Sequence, residues 1–329
     1  MRELTFGNAY AEGVREEMER DPTIFVLGTD IRIRGGAWGQ LKDIGKTFGN
    51  KRVIDTPISE AGMVGLSFGA AMTGLRPICD LNFEDFILGA MDEVVNQIAN
   101  TQYIFNDQFK CPVVIRASSG AARSTGPQHS HMFESWYAHV PGLLVALPST
   151  PADVKGLIKT ALRGDDPVIF LAHKMLSSVK GHVPQEDYTI PFGKAKVVRQ
   201  GKDVTIVTYS IMVSKSLQAA EELQKMGISA EVIDLRTIVP LDIDCIAESV
   251  KKTKRLIIAH EAYRKGGIGA EIAATIGEVV FDYLDAPIAR VGSKHAAIPL
   301  SPVLQEYINP SRNDVVEAAK SVMRGVVTA

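Results

Sequence analysis

Cysteine, charge of one sign and long apolar runs are all scarce in this chain of 329 residues. The three cysteines, Cys79, Cys111 and Cys245, are widely spaced and include no C-x-x-C pair, which is typical of a protein in a reducing compartment. The formal net charge is only -2, so the composition favours neither nucleic acid nor an anionic membrane as a partner. Polar or small residues interrupt every apolar stretch before the ~18 residues of a membrane span, and the N-terminal MRELTFGNAY lacks the apolar core of a signal peptide. We therefore expect a cytoplasmic protein.

Several catalytic motifs are also missing. No G-x-G-x-x-G opens a helix after a strand, and Gly266-Gly267-Ile268-Gly269 lacks that spacing and is typical of a flexible turn. There is no Walker-type phosphate loop and no H-E-x-x-H, and none of the seven histidines has a partner at convincing metal-ligand spacing. The one G-x-S-x-G, centred on Ser67, lies inside a helical pattern, so we interpret it as coincidental.

Short β-branched runs alternate with helical patterns along almost the whole chain, which favours parallel sheets covered by helices. The predicted strands are 24–27, 77–81, 113–116, 143–147, 168–171, 204–208, 230–235, 255–259 and 288–291. A polar stretch rich in turn formers, 180–188, predicts a domain boundary near residue 190. The predicted fold class is thus α/β, with two doubly wound domains over residues 1–190 and 191–329.

Two predicted helices in the first half have unusual compositions. The stretch 60–73 contains three glycines, which disfavour a helix, and several alanines. So many small residues indicate that another helix or a ligand approaches its backbone closely. The stretch 83–100 has apolar residues at the i, i+3, i+4 spacing of a helix with a wide buried stripe.

Glu60 lies where a loop enters the glycine-rich helix. A glutamate at a helix start is usually a surface charge that offsets the helix dipole. Here the helix that follows is too apolar for an ordinary surface helix, because it carries Met63, Val64, Leu66 and Phe68. The sequence therefore predicts a partly buried carboxyl, whose pKa such an environment can raise toward the working pH.

The order and spacing of several short motifs closely resemble the beta subunits of 2-oxo acid dehydrogenase complexes over nearly the whole chain. These motifs occupy residues 55–62, 82–86, 91–97, 128–130, 139–143, 166–170, 233–237 and 240–242. The resemblance implies a transketolase-like pyrimidine-binding domain followed by a transketolase C-terminal-like domain. The segment Pro148-Ser149-Thr150-Pro151 is more similar to the bacterial pyruvate and acetoin members of the family than to the branched-chain members.

The resemblance implies thiamine diphosphate as cofactor and assigns roles to three residues. Glu60 matches the glutamate that hydrogen-bonds the aminopyrimidine ring and so promotes formation of the reactive ylid. Phe86 matches the aromatic residue that stacks on this ring, although its spacing also fits an ordinary core position. Asn82 matches a position that often holds a polar residue near the cofactor.

His129 matches a family histidine at the mouth of the active site, which orients the substrate-derived intermediate and assists acyl transfer to lipoamide. The family commonly continues His-Ser-Gln, whereas this chain reads His129-Ser130-His131. This departure leaves the substrate open, and His131 would add a second titrating group near pH ~6.5. Relatives that bind a structural potassium have a ligand where this chain has Gly164, so potassium is not predicted.

A partner follows from a missing motif. Enzymes of this kind usually hold the Mg²⁺-diphosphate with a Gly-Asp-Gly motif, and this chain has none. The resemblance therefore implies an alpha subunit that supplies Mg²⁺, an alpha2-beta2 heterotetramer, and docking of the region 195–329 on a dihydrolipoyl acyltransferase core with its lipoyl domain.

We expect a pyruvate-type or acetoin dehydrogenase subunit, and two alternatives stay open. One is half of a split transketolase-like ketol transferase, but a sugar-phosphate enzyme should present basic residues, and Arg123 is the one near His129. The other is a non-catalytic assembly subunit, against which the joint presence of Glu60, Phe86 and His129 argues.

Overall fold

The computed structural model describes residues 2–122 and 124–326, which fold as two compact units. The first unit runs from the N-terminus to Ser119 and from Trp136 to Phe192. The second unit combines the short segment Gly120–Ser135 with the described residues from Gly193 onward. Within the described part of the chain, no helix is both long enough and apolar enough to cross a bilayer.

The nine predicted strands are all present, and five short strands are additional. They are β1 (Arg2–Thr5), β2 (Ile24–Gly28), β3 (Val53–Asp55), β4 (Arg76–Phe83), β5 (Val114–Ser119), β6 (Leu144–Ala146), β7 (Val168–His173), β8 (Lys180–Val183), β9 (Lys196–Arg199), β10 (Val204–Thr208), β11 (Ala230–Asp234), β12 (Thr237–Val239), β13 (Leu256–Tyr263) and β14 (Ala289–Ser293).

The helices fill most of the intervals between these strands. They are α1 (Phe6–Arg20), α2 (Lys42–Phe48), α3 (Glu60–Met72), α4 (Thr101–Ile104), α5 (Glu134–Ala138), α6 (Pro151–Arg163), α7 (Ile211–Lys225), α8 (Ile243–Thr253), α9 (Gly269–Val280), α10 (Pro302–Ile308) and α11 (Arg312–Met323).

The first unit is built on a parallel sheet in which six of its strands lie in the order β6-β7-β5-β4-β2-β3. Strands β3 and β4 flank β2 on its two sides, so the chain changes direction across the sheet at this point. α1 packs against α6, and Gly13 makes this possible, because a Cβ there would lie 2.8 Å from a methyl carbon of Ile158.

The second unit has a five-stranded sheet in the order β14-β13-β10-β11-β9, in which β9 alone is antiparallel to its neighbour. Its core contains side chains from the strands and from α7 and α11, including Ile206, Val232, Leu223 and Val316. The predicted fold class, two α/β units with mainly parallel sheets, is confirmed.

The continuous helix predicted over 83–100 is wrong in detail. Residues Glu84–Ala90 form a 3₁₀ helix and Glu93–Ile98 form a π-helical turn. The buried positions explain the change: Glu84, Ile87 and Ala90 are spaced by three, as a 3₁₀ helix requires. Val94 and Ile98 then follow at a spacing of four, so one buried stripe continues through two kinds of helix.

The polar stretch 180–188 also contains regular structure that the sequence did not predict. Its first residues form β8, which pairs antiparallel with β1 near the N-terminus. The sequence does not predict this strand, because Lys180, Gly181 and His182 have low β-propensity. Pairing with a distant segment decides its conformation instead.

Candidate functional site

The carboxyl ends of β2, β3 and β4 bring the predicted site residues of the first unit to one edge of the sheet. β3 ends at Asp55 and leads through a short loop to Glu60, and β4 ends at Phe83 just after Asn82. In open parallel sheets, ligands bind outside the carboxyl ends of the strands where the strand order reverses. The predicted site residues of this unit therefore lie at the edge where parallel sheets usually bind ligands.

Glu60 is the first residue of α3 and is half-buried. Ser59, the residue before the helix, makes no side-chain capping bond, and Glu60 is the acidic residue of the first turn, where a negative charge is favoured by the helix dipole. A Cβ built on Gly89 would lie 4.0 Å from the Cβ of Glu60, so α3 and the 3₁₀ segment approach each other here. The predicted partial burial of Glu60 agrees with the structure.

The thiol of Cys79 lies near Glu60 but has no nucleophilic role. Burial raises its pKa to about 12, and the charges of Asp80 and Glu60 add to this effect. The thiol therefore stays protonated at neutral pH, and a thiolate is the form that reacts.

Phe86 is half-buried in the 3₁₀ segment beside α3, so part of its ring is open to a ligand. It meets the ring of Phe83 edge-on, with centroids 6.0 Å apart. Phe83 in turn meets Trp38 at 6.3 Å, and the ammonium of the buried Lys174 lies 5.2 Å from its ring centre. Phe86 thus belongs to an edge-to-face aromatic cluster, which the sequence analysis missed because Trp38 and Lys174 are distant along the chain.

Asn82 has a structural task at this edge. Its backbone adopts the left-handed region with φ 59°, and its side-chain oxygen accepts a hydrogen bond from the amide of Ala37 at 3.2 Å. Its own amide donates to Asp80, which forms a buried ion pair with Arg116 at 3.2 Å. Asn82 therefore fastens the loop after β2 to the end of β4, and its predicted contact with a cofactor stays a prediction.

α3 presents an open face rich in small residues. Met63, Val64, Ser67 and Ala71 are buried against the first unit, whereas Gly62, Leu66 and Gly69 are exposed. Nothing lies within 4 Å of a Cβ placed on Gly69. The expectation that this helix is too apolar to be a surface helix is wrong for the single chain, because only four of its 13 residues are buried. Ser67 donates its hydroxyl to the Met63 carbonyl, as expected of a residue inside a helix.

His129 lies in the second unit, at the end of the short 3₁₀ turn Pro127–His129. It is half-buried, and its carbonyl accepts a hydrogen bond from the hydroxyl of Thr125 at 3.2 Å. Two residues on, the ring of His131 stacks on Phe133 with centroids 4.7 Å apart. The turn therefore presents two imidazoles. Arg123, the basic residue weighed for sugar phosphates, lies outside the described residues.

The acidic pair before β7 is engaged with side chains of the first unit. The Asp165 carboxylate accepts from Arg76 at 3.2 Å, and the Asp166 carboxylate accepts from Gln102 at 2.9 Å. Among residues 2–122 and 124–326, no group of three His, Cys, Asp or Glu side chains could hold a metal ion.

Two family models together match almost the whole chain. Residues 2–179 match the pyrimidine binding domain of transketolase, and residues 193–315 match the transketolase C-terminal domain.

Curated proteins similar to this chain are named as dehydrogenase subunits. The pyruvate dehydrogenase E1 component subunit beta of Rickettsia felis is 46% identical over 320 residues, covering 97% of this chain and 98% of that protein. The acetoin:2,6-dichlorophenolindophenol oxidoreductase subunit beta of Cupriavidus necator is 43% identical over 333 residues, covering 98% of both.

A solved structure has the same fold over nearly its full length. It is described as a split gene transketolase, an inactive beta4 tetramer, and it superposes with a TM-score of 0.81. Its sequence is 26% identical, and the match covers 98% of this chain and 99% of that one.

Proposed function

This chain belongs to the transketolase family, with its pyrimidine-binding and C-terminal domains in succession, and we propose that it is the beta subunit of a thiamine-diphosphate-dependent 2-oxo acid or acetoin dehydrogenase. The observation that carries the proposal is the position of Glu60. This carboxyl begins α3 at the carboxyl edge of a parallel sheet, and α3 packs against the 3₁₀ segment that carries the half-buried Phe86. The relatives named as pyruvate and acetoin dehydrogenase subunits support the class of substrate, and the exact substrate is left to the assay below.

The residues at this edge fit the aminopyrimidine end of the cofactor. A half-buried carboxyl can share a proton with a ring nitrogen, and an aromatic ring fixed by Phe83 offers a stacking surface. Gly89 leaves the space beside the Glu60 side chain free of a Cβ. When bound, thiamine diphosphate supplies an acidic thiazolium carbon that can attack a carbonyl group.

With thiamine diphosphate bound, Glu60 would hold a proton in a hydrogen bond to a ring nitrogen of the aminopyrimidine. This would be general acid–base catalysis relayed through the cofactor, and such a group contributes typically about 10²–10⁴ in rate. Phe86 would offer the face of its ring to the aminopyrimidine.

His129 acts on the substrate side. A neutral imidazole has both a donor and an acceptor nitrogen, so His129 can orient a carbonyl-derived oxygen and pass a proton during acyl transfer to lipoyl-lysine. His131 follows two residues after His129, and its ring is stacked on that of Phe133.

The second half of the cofactor site belongs to an alpha subunit. The chain has no Gly-Asp-Gly motif to hold Mg²⁺ and the diphosphate, so we assign Mg²⁺ to that partner. The exposed face of α3, with Gly62, Leu66 and Gly69, supports close packing of another chain against the helix. We propose an alpha2-beta2 heterotetramer in the cytoplasm, whose beta C-terminal domain (191–329, after a pyrimidine domain of 1–190) docks on a dihydrolipoyl acyltransferase core.

Co-expression with candidate alpha subunits tests this function. The expected result is a stable complex that reduces or acylates lipoyl domain in the presence of thiamine diphosphate, Mg²⁺ and one of pyruvate, a branched-chain 2-oxo acid or acetoin. Phe109→Ala is a suitable control, because Phe109 is an exposed aromatic residue that packs on Phe105 and has no place in the proposed site. A complex that turns over none of these substrates would contradict the proposal.

A second candidate has one observation in its favour. The superposition with a split gene transketolase supports a ketol transferase half. Adding a ketose phosphate donor and an aldose phosphate acceptor to the same complex distinguishes the two functions, because a transketolase transfers a two-carbon unit without lipoyl domain. A complex that assembles but catalyses neither reaction would indicate an assembly subunit.

A further inference from the structure

A buried pair of glutamates lies in the second unit at the end of the segment that carries His129. Glu134 is fully buried, and one of its carboxyl oxygens accepts a hydrogen bond from the hydroxyl of Tyr209 at 2.5 Å. Its other oxygen, Oε2, is buried and has no hydrogen-bond partner among the described residues. Glu261, which is 6% exposed, is close enough for its charge to act on Glu134.

The segment Gly120–Ser135 is attached to the second unit through these same two glutamates. At its start, the amide of Ala121 donates to Glu261 at 2.9 Å. At its end, Glu134 accepts from Tyr209. The Gly120 amide also donates to the carbonyl of His131 at 3.1 Å, which closes residues 120–131 into a loop with His129 close to its end.

The groups around the pair give Glu134 little positive charge to offset its own. The ammonium of Lys215 on α7 lies 3.9 Å from the carboxylate of Glu261, so this nearby cation forms its ion pair with Glu261. From β13, His260 stacks on Tyr209, and burial lowers the pKa of His260 to about 4, so it is neutral. Arg290 on β14 acts on His260 and makes no ion pair with Glu134 among the described residues.

Glu134 therefore has a physical reason to hold a proton. Burial, together with the charge of Glu261, raises the pKa of Glu134 to about 7, while hydrogen bonds from Tyr209 and from the Glu134 backbone amide oppose this rise. A neutral acid avoids the repulsion that two buried carboxylates would exert on each other.

We propose that Glu134 is a positioning residue that, as a neutral acid, holds the segment 120–135 on the second unit and thereby fixes the place of His129. Its ionisation puts a second negative charge beside Glu261 and loosens both attachments of the segment. The consequence for acyl transfer rests on the proposed function, whereas the proton-linked seating of the segment does not.

Hydrogen exchange of the full-length chain across pH tests the seating directly. If opening of the segment restores the ordinary glutamate pKa of 4.5, the opening equilibrium should increase on the order of 40-fold between pH 5 and 7, after correction for intrinsic exchange, and then level off. Glu134→Gln keeps an acceptor for Tyr209 and cannot ionise, so its peptides from 120–135 should change less than about 3-fold over this range.

Glu231→Gln is the matched control. Glu231 is also a buried glutamate of the second unit, but it is paired with Lys252 and Ser249, and its pKa is lowered instead of raised. This variant should keep the wild-type pH response in 120–135. A wild-type segment whose protection is flat from pH 5 to 7, or a Glu134→Gln variant with the wild-type response, would overturn the proposal.

The pH profile of the reconstituted complex separates this inference from the assigned activity. If both hold, the rate of acyl transfer should decline as pH rises through about 7 in the wild type, and Glu134→Gln should lack this ionisation. A proton-linked segment in a complex with no acyl transfer would leave the positioning of His129 intact and refute the proposed reaction alone.

Discussion

Glu60 and Gly89 face each other across the junction of α3 and the 3₁₀ segment, so that a Cβ added to Gly89 would lie 4.0 Å from the Cβ of Glu60. This distance is ordinary van der Waals contact, so a methyl group fits and anything larger competes for the same space. The position needs no unusual backbone angle, because Gly89 is absent from the glycines with positive φ. We infer that Gly89 keeps open the space in which Glu60 meets its ligand.

Substitution of Gly89 should therefore separate cofactor binding from folding. Gly89→Leu should weaken binding of thiamine diphosphate to the complex by about tenfold or more, which corresponds to about 1.4 kcal/mol. Gly89→Ala should bind within a small factor of wild type and serves as the control. Isothermal titration of the assembled complex gives the affinities, and equal affinity of the leucine variant and wild type would contradict the role of this space.

Phe86 should contribute through the face of its ring. Aromatic pairs are worth about 0.5–1.5 kcal/mol beyond area burial, so Phe86→Leu, which keeps an apolar side chain, should weaken cofactor binding about 2- to 12-fold. The same titration measures this change, and thermal unfolding of the variant reports whether the fold is retained. Leu88→Ala on the neighbouring exposed side of the segment is the control, since Leu88 is 37% exposed. A leucine variant that binds as tightly as wild type would leave Phe86 as an ordinary core residue.

The glycine cluster 266–269 should be intolerant of side chains for a reason that the sequence does not reveal. A Cβ on Gly269 would lie 2.5 Å from Nε2 of the buried His260, and one on Gly267 would lie 2.8 Å from its Cε1. Gly269→Ala should therefore destabilise the second unit by about 1–3 kcal/mol through overpacking. Gly227→Ala meets no atom within 4 Å, but its φ of 82° makes it a control for backbone strain alone.

His260 should also make the second unit sensitive to acid. Burial lowers its pKa from 6.5 to about 4. Between pH 4 and pH 6.5, His260 is therefore protonated in the unfolded chain and neutral in the folded one. His260 therefore costs no stability above pH 6.5. As the pH falls from 6.5 toward 4, it lowers the free energy of unfolding by about 3 kcal/mol in all. Denaturant titrations at pH 7 and pH 4.5 measure the loss, and a His260→Gln variant with an equal pH dependence would contradict this assignment.

Much of the fold could be predicted from the sequence because buried parallel strands have a strong local signal. β2, β10 and β11 are continuous β-branched or apolar runs, and the structure places them within a residue of the predicted bounds. β8 could not be predicted, because its residues gain strand conformation only by pairing with β1. The irregular helix 84–98 was hidden because 3₁₀ and π turns share the apolar spacing of an α-helix within one or two residues.

The site was predictable only in part. Glu60 and Phe86 lie in local motifs, but the contacts of Trp38 and Lys174 with Phe83 depend on the order of strands in the sheet. The buried pair Glu134 and Glu261 is separated by 127 positions, which no local pattern could connect. Pairing across the second unit thus creates the electrostatics that a single motif does not contain.

The most direct test of the account is the exchange rate of the thiazolium carbon proton of thiamine diphosphate in the assembled complex. Wild type and Glu60→Gln should form the same assembly, since Glu60 is only half-buried and makes no ion pair among the described residues. We expect the exchange rate to fall by about 10²–10⁴ in the Glu60→Gln complex, because glutamine cannot donate and accept the proton at the ring nitrogen. An unchanged exchange rate in an intact, cofactor-loaded complex would contradict the claim that Glu60 activates the cofactor.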